Sequence, residues 1–138
     1  MANDLIHDAV KHALIKDGWS IEKEHFKIEY EEIEVYADLL ARRGPIVAEK
    51  DQRTIIIEVK TFAGRSFIRE LQQALGQYDL YLDLIELTSL NYELYLAVSD
   101  SIYEQFFLRT ATRQIIARRH LRLLVVNVEQ EEIVSWIQ

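Results

Sequence analysis

The sequence predicts an α/β or α+β domain, a sheet with helices packed on it. Three observations carry this reading. TIIIEVK (54–60) holds three successive isoleucines, so that strand is covered on both faces and lies inside a sheet. A long apolar stripe at three- and four-residue steps follows it directly. Two more apolar runs, YELYLAV (92–98) and LRLLVVNV (121–128), then alternate with helical spacing.

The elements follow in order. Asn3 or Asp4 can cap a first helix, in which Leu5, Ala9, His12, Ala13 and Lys16 recur at helical spacing before Gly18 stops it. From Ser20 the pattern changes to alternation, with Ile21, Lys23, His25 and Lys27 on one side and Glu22, Glu24, Phe26 and Ile28 on the other. This reads as an exposed or edge strand. IEVYADLLA (33–41) is a second strand, closed by the Gly44-Pro45 turn signal; IVAEK (46–50) is a third, and DQR turns into 54–60. A helix is expected from Ser66 to Leu84, striped by Phe67, Leu71, Ala74, Leu75, Tyr78 and Leu82. After strand 92–98, Ser99 or Asp100 caps a helix through Phe107, and Thr110 to Arg119 forms a short arginine-rich one. EEIVSWIQ ends the chain as a strand or short amphipathic piece beyond 121–128. Tyr92, Tyr95 and Tyr103 read as packing residues, with Trp19 and Trp136 closing the core at the two ends of the chain.

Composition narrows the class. The 138 residues and 16.3 kDa suit one domain over 1–138, and 49% hydrophobic with 28% charged residues is ordinary globular usage. The absence of cysteine excludes disulfides and thiolate metal sites and points to a reducing cytoplasm. No stretch approaches the roughly 18 apolar residues of a membrane span. Asp4, Asp8 and Lys11 fall where a secretory signal needs an apolar core. A net charge of −7 argues against strong non-specific nucleic-acid binding, although a local basic surface or a bound cation is compatible with it.

The chemistry concentrates in one strand. Side chains alternate, so Thr54, Ile56, Glu58 and Lys60 share a face that starts apolar and ends in two opposite charges. Interior strands seldom carry charge unless it is paired or holds a metal. Asp38, flanked by apolar residues, precedes Glu58 by twenty positions, and the intervening meander can bring the two together. Two adjoining carboxylates make a hard-ligand site suited to Mg²⁺ or Mn²⁺, with Lys60 beside it to orient water or neutralise developing charge; together they predict phosphodiester hydrolysis. A plain salt bridge at a strand end accounts for the same residues without a metal.

Asp followed about twenty residues later by Glu-x-Lys resembles the PD-(D/E)xK nuclease superfamily. KDGW (16–19), Asp38, AEK (48–50), IEVKTF (57–62) and ELQQALGQYDLY (70–81) narrow the resemblance to the XisH family, the controlling factors for fdxN element excision in cyanobacteria. It runs across nearly the whole chain in order. It implies a restriction-endonuclease-like α/β fold, a central mixed sheet flanked by helices. It also implies Asp38, Glu58 and the Val59 carbonyl as metal ligands and Lys60 as the catalytic lysine beside Asp38 and Glu58. Ala37 stands where the superfamily motif has proline, and Arg42-Arg43 where relatives carry an acidic residue. The family implies DNA rearrangement alongside a separate site-specific recombinase, and an XisI-type partner protein. A non-catalytic excision-control module that binds its partner through a retained nuclease scaffold is the alternative, and a dimerising domain of unrelated function is a third. Self-association is left open.

Accessory candidates flank this core. Gln73, Gln77 and Tyr81 form an i, i+4, i+8 row on the long helix, and this superfamily often sets such a row beside the active site. His7 or Asp8, with His12 near by on the first helix, can supply an outer metal ligand. Arg109, Arg113, Arg118, Arg119, His120 and Arg122 lie in a stretch free of acidic residues and are candidates for a DNA-facing patch or a contact with an acidic partner. Glu29, Glu31, Glu32 and Glu34 would repel DNA from their edge.

Overall fold

The structure, a computed structural model, describes residues 2–44 and 52–138, with side chains from residue 5 onward in the first segment. The strand expected at 46–50 and the AEK motif within it lie outside the described residues. Among the described residues four helices, α1 (Ala2–Lys16), α2 (Phe67–Leu87), α3 (Asp100–Ile102) and α4 (Thr110–Arg119), flank six strands. The strands are β1 (Ser20–Tyr30), β2 (Ile33–Arg43), β3 (Arg53–Val59), β4 (Glu93–Ser99), β5 (Leu123–Asn127) and β6 (Glu132–Ile137). A π-helical turn, Tyr103–Phe107, continues α3. The fold is α/β, an open six-stranded mixed sheet in the order β1-β2-β3-β4-β5-β6, consistent with a restriction-endonuclease-like architecture. The chain's last segment is thus a strand, and the helix expected to close at Leu84 runs to Leu87.

β3, β4 and β5 are parallel, and the outer neighbours pair antiparallel. Both crossovers, β3-α2-β4 and β4-α3-α4-β5, step the same way across the sheet, so a common handedness puts their helices on one face. Ile56, Leu96, Val98, Leu123 and Val125 pack there with Leu71, Tyr78, Leu84, Phe107 and Ile116. Ile55, Ile57, Ala97, Leu124 and Val126 face the other way onto Ile6, Val10 and Leu14 of α1. All three isoleucines of β3 are fully buried. Trp19 and Trp136 meet in this second layer with centroids 5.8 Å apart, and Tyr95 packs edge-on against Trp136.

The alternation of β1 breaks twice. A bulge falls between Ile21 and Lys23, and His25 adopts a left-handed backbone, φ 56°. Glu24 consequently faces α1, where it bonds His7 and Lys11, whereas Phe26 two residues on packs in the α2 layer. The partner strand changes face at the same level: Leu39 belongs to the α1 layer and Ala37 to the α2 layer. Glu24 pairs Leu39 and Phe26 pairs Ala37, so His25 and Asp38 oppose each other at a corner of the sheet. Bulges and left-handed residues are how strands turn such corners.

Candidate active site

β2 leaves β3 at that corner. Its ladder with β3 ends at the Leu39–Ile57 pair, and the next two residues, Asp38 and Glu58, bond through side chains instead. The Asp38 N–H donates to Glu58 Oε1 at 3.2 Å, and the Val59 N–H donates to Asp38 Oδ2 at 2.7 Å. Each carboxylate takes up an amide that the parting strands would leave without a ladder partner. The twenty-residue separation in sequence therefore becomes direct adjacency.

This adjacency is electrostatically costly. Glu58 is only 8% exposed, and burial, then the charge and hydrogen bonding of Asp38, push its carboxyl up to about 8. Lys60 offsets part of this, with its Nζ 3.9 Å from Glu58 Oε2. Phe62 directs this segment. Its backbone is left-handed, φ 51°, and its ring is clamped by Phe67 and Phe107 at 5.5 and 5.4 Å. A buried aromatic held in that conformation fixes the path of Lys60-Thr61 as the chain leaves the sheet.

Tyr81 supports the pair from α2. Its hydroxyl donates to the Tyr36 carbonyl at 2.9 Å and accepts from Gln77 Nε2 at 3.0 Å. Burial, followed by the Glu58 charge, pushes its pKa up to about 12. The row Gln73, Gln77, Tyr81 does not stay on one face: Gln73 is exposed, Gln77 half-buried and Tyr81 buried. Four-residue steps overshoot a helical turn by about 40° each, which carries the row from solvent into the core.

A cleft of about 520 Å³ is lined by Asp38, Glu58, Val59 and Lys60 at the strand ends, with His7 from α1 and Gln73 from α2. Asp8 is exposed on α1 and Gln77 stands behind Tyr81; neither lines the cleft. His12 is engaged elsewhere, bonding Glu131 of the β5–β6 turn at 2.6 Å. Sequence reasoning missed Glu24, His25 and Glu70 as cleft residues. Glu70 Oε2 accepts from the Gly64 N–H at 3.0 Å, and a side chain at Gly64 would come within 2.9 Å of the Glu70 carboxyl carbon. No periodicity marks His25, because its position depends on the broken alternation of β1.

The arginines do not gather at this cleft. Arg122 lies 3.9 Å from Glu93, itself paired with Arg53, at the amino ends of the parallel strands. Glu58 is five residues up β3 from Arg53, roughly 16 Å along a strand. Arg119 pairs with Asp79 of α2. Arg113 lines a second, smaller cavity with His120, and Arg118 is exposed near the end of α4. Arg109 sits over Phe106, whose ring stacks on Phe67 and so joins the aromatic cluster around Phe62.

Among the described residues no three His, Asp or Glu side chains form a ready metal-ligand set. Two carboxylates nevertheless fit a magnesium-type ion, which binds through one or two of them and fills its shell with water and substrate oxygens. The raised Glu58 is a further fit, since a cation there would offset the burial and the Asp38 charge that together hold its proton. No described helix is long and apolar enough to cross a membrane.

The sequence model of the XisH protein family matches residues 1–134. The chain belongs to the XisH family. Two solved structures share the fold of this XisH-family chain. One, an XisH family protein from Nostoc punctiforme PCC 73102, is 33% identical with a TM-score of 0.87, over 98% of this chain and 100% of that one. The other, a fdxN element excision controlling factor protein from Anabaena variabilis, is 34% identical with a TM-score of 0.87, over 98% and 99%. No curated protein matches.

Proposed function

We propose that this XisH-family chain is an fdxN element excision controlling factor with a Mg²⁺- or Mn²⁺-dependent PD-(D/E)xK endonuclease-like site, acting on DNA in programmed excision. The observation that carries the reading is the Asp38–Glu58 pair, two neighbouring carboxylates at the mouth of a cleft with one ammonium beside them. Asp38 and Glu58, with the Val59 carbonyl, would hold the ion. A bound divalent cation supplies Lewis-acid polarisation of a phosphoryl oxygen and a water of lowered pKa. The chain's own residues do the rest. Lys60 sets a positive charge where a phosphodiester gains negative charge as water attacks phosphorus and the P–O bond to the leaving hydroxyl breaks. Tyr81, held by Gln77, keeps the wall behind Glu58 in place. The whole chain acts as one cytoplasmic domain beside a site-specific recombinase and an XisI-type partner.

A second reading has its own support. Both carboxylates already accept backbone amides, as a purely structural pair would. In that reading the scaffold is a non-catalytic control module that binds its partner protein. Cleavage of supercoiled and branched DNA in Mg²⁺ or Mn²⁺ separates the two. The nuclease reading expects nicking that is lost in Lys60→Ala, and a metal-induced rise in Tm that is lost in Asp38→Ala and in Glu58→Ala. Absence of both, with partner capture indifferent to all three site substitutions, would establish the control module instead.

A further inference from the structure

His25 occupies the corner opposite Asp38 in a backbone conformation that glycine adopts without steric cost and most side chains avoid. The corner needs the left-handed residue; it does not need an imidazole. That imidazole is exposed, lines the cleft, and makes no hydrogen bond to any described residue. Its ring lies nearly parallel to that of His7, 12° between planes with centroids 6.3 Å apart. His7 in turn is fixed by Glu24 at 3.0 Å, and Glu24 by Lys11 at 3.1 Å. One histidine is therefore held and the other is left free at the cleft wall.

We infer that His25, oriented by His7, binds a backbone phosphate of the DNA next to the one attacked. The inference rests on the nuclease reading and deepens it by naming how substrate is held. Four carboxylates, Glu24, Asp38, Glu58 and Glu70, line the cleft, and Lys60 is its one Lys or Arg among the described residues. A polyanion entering there needs further donors, and no arginine among the described residues lines the cleft. An imidazole presents an N–H in both protonation states, so His25 can donate to a phosphate oxygen without depending on its charge. The corner sets it one strand away from Asp38, which makes the neighbouring phosphate rather than the scissile one its partner.

The test uses the full chain and two substitutions that tolerate the left-handed backbone, His25→Gly and His25→Asn. Binding is read by fluorescence anisotropy of a labelled DNA junction in Ca²⁺, and cleavage as KM against kcat. His25→Gly should melt at or above the wild-type temperature and keep its Mg²⁺-induced rise in Tm. It should weaken DNA binding and raise KM by roughly tenfold, the worth of one hydrogen bond to a charged group, with kcat little changed. His25→Asn, which keeps a donor, should recover most of that loss. Unchanged DNA affinity and KM in His25→Gly would overturn the inference, as would a wild type that binds no DNA. Failure of the nuclease reading looks different: no cleavage and no metal effect, while DNA binding still depends on His25.

Discussion

Replacing Glu58 by glutamine should make the metal-free protein more stable near neutral pH and leave it unchanged in acid. Glu58's pKa is about 8 in the folded chain against 4.5 for the ordinary carboxyl. The folded state thus holds a proton that the unfolded chain releases, so stability is highest below about 4.5, falls as pH rises through that interval, and levels off above 8. At pH 7 the full displacement corresponds to about 3 kcal/mol, and relaxation around the Asp38 pair lowers this to roughly 1–3 kcal/mol. A glutamine side chain keeps an oxygen to accept the Asp38 amide and carries no charge, so Glu58→Gln removes the penalty. In a chain of this length that is a rise in Tm of roughly 4–12 °C at neutral pH, shrinking to nothing near pH 4. Thermal melts of both proteins across that range in EDTA provide the measurement. Added Mg²⁺ should then raise the wild type, by displacing the proton, and leave Glu58→Gln where it was. Parallel melting curves at every pH, or a variant less stable than wild type at pH 7, would show that Glu58 is not held against a charge.

Three further outcomes follow from the same geometry. Tyr81→Phe leaves the Tyr36 carbonyl and Gln77 without their hydroxyl partner and should cost about 1–2 kcal/mol in urea denaturation. Ser66→Ala removes the side chain that accepts the Arg69 N–H at the start of α2 and should cost about 1 kcal/mol by the same assay. The double substitution Arg119→Ala/Arg122→Ala should leave DNA cleavage within about twofold, whereas Lys60→Ala should lose at least about a hundredfold; a cleavage loss in the arginine pair as large as in Lys60→Ala would relocate the DNA path.

What was legible in the sequence was what repeats. β3 announced itself because three isoleucines can be buried together only inside a sheet, and the stripe of α2 because apolar residues kept helical spacing. Asp38 and Glu58 were legible as charges in apolar surroundings. The breaks in periodicity were not. The alternation through 21–28 assigns His25 and Lys23 to the face of Ile21, but the bulge after Ile21 and the left-handed turn at His25 each shift the count by one residue. Tyr81 looked like the end of a polar row because a four-residue step ignores the drift of a 3.6-residue helix. The arginines looked like one patch because they are close in sequence. α4 and the start of β5 instead spread them along the length of the sheet, where Asp79 and Glu93 engage two of them.

The proposed metal site accounts for a cost that a purely structural link closing the end of the β2–β3 ladder leaves unexplained. Two amides need acceptors where the strands part, and neutral oxygens would serve them. A glutamine in place of Glu58 would accept the Asp38 N–H without the burial penalty and the Asp38 repulsion that push Glu58 up to about 8, and one ammonium at 3.9 Å offsets only part of them. A buried carboxyl whose ionisation lowers stability, where a neutral side chain would fit, supports the proposal of a site shaped for a task other than folding. In the proposed reading a divalent cation would convert that cost into an advantage. Held by Asp38 and Glu58, it would take the place of the proton and offset both carboxylates, in a cleft that Lys60 and His25 also line. The pH-dependent cost of the metal-free pair and the proposed chemistry thus trace to one feature, two carboxyl groups held side by side, one of them buried, at the corner where the sheet divides.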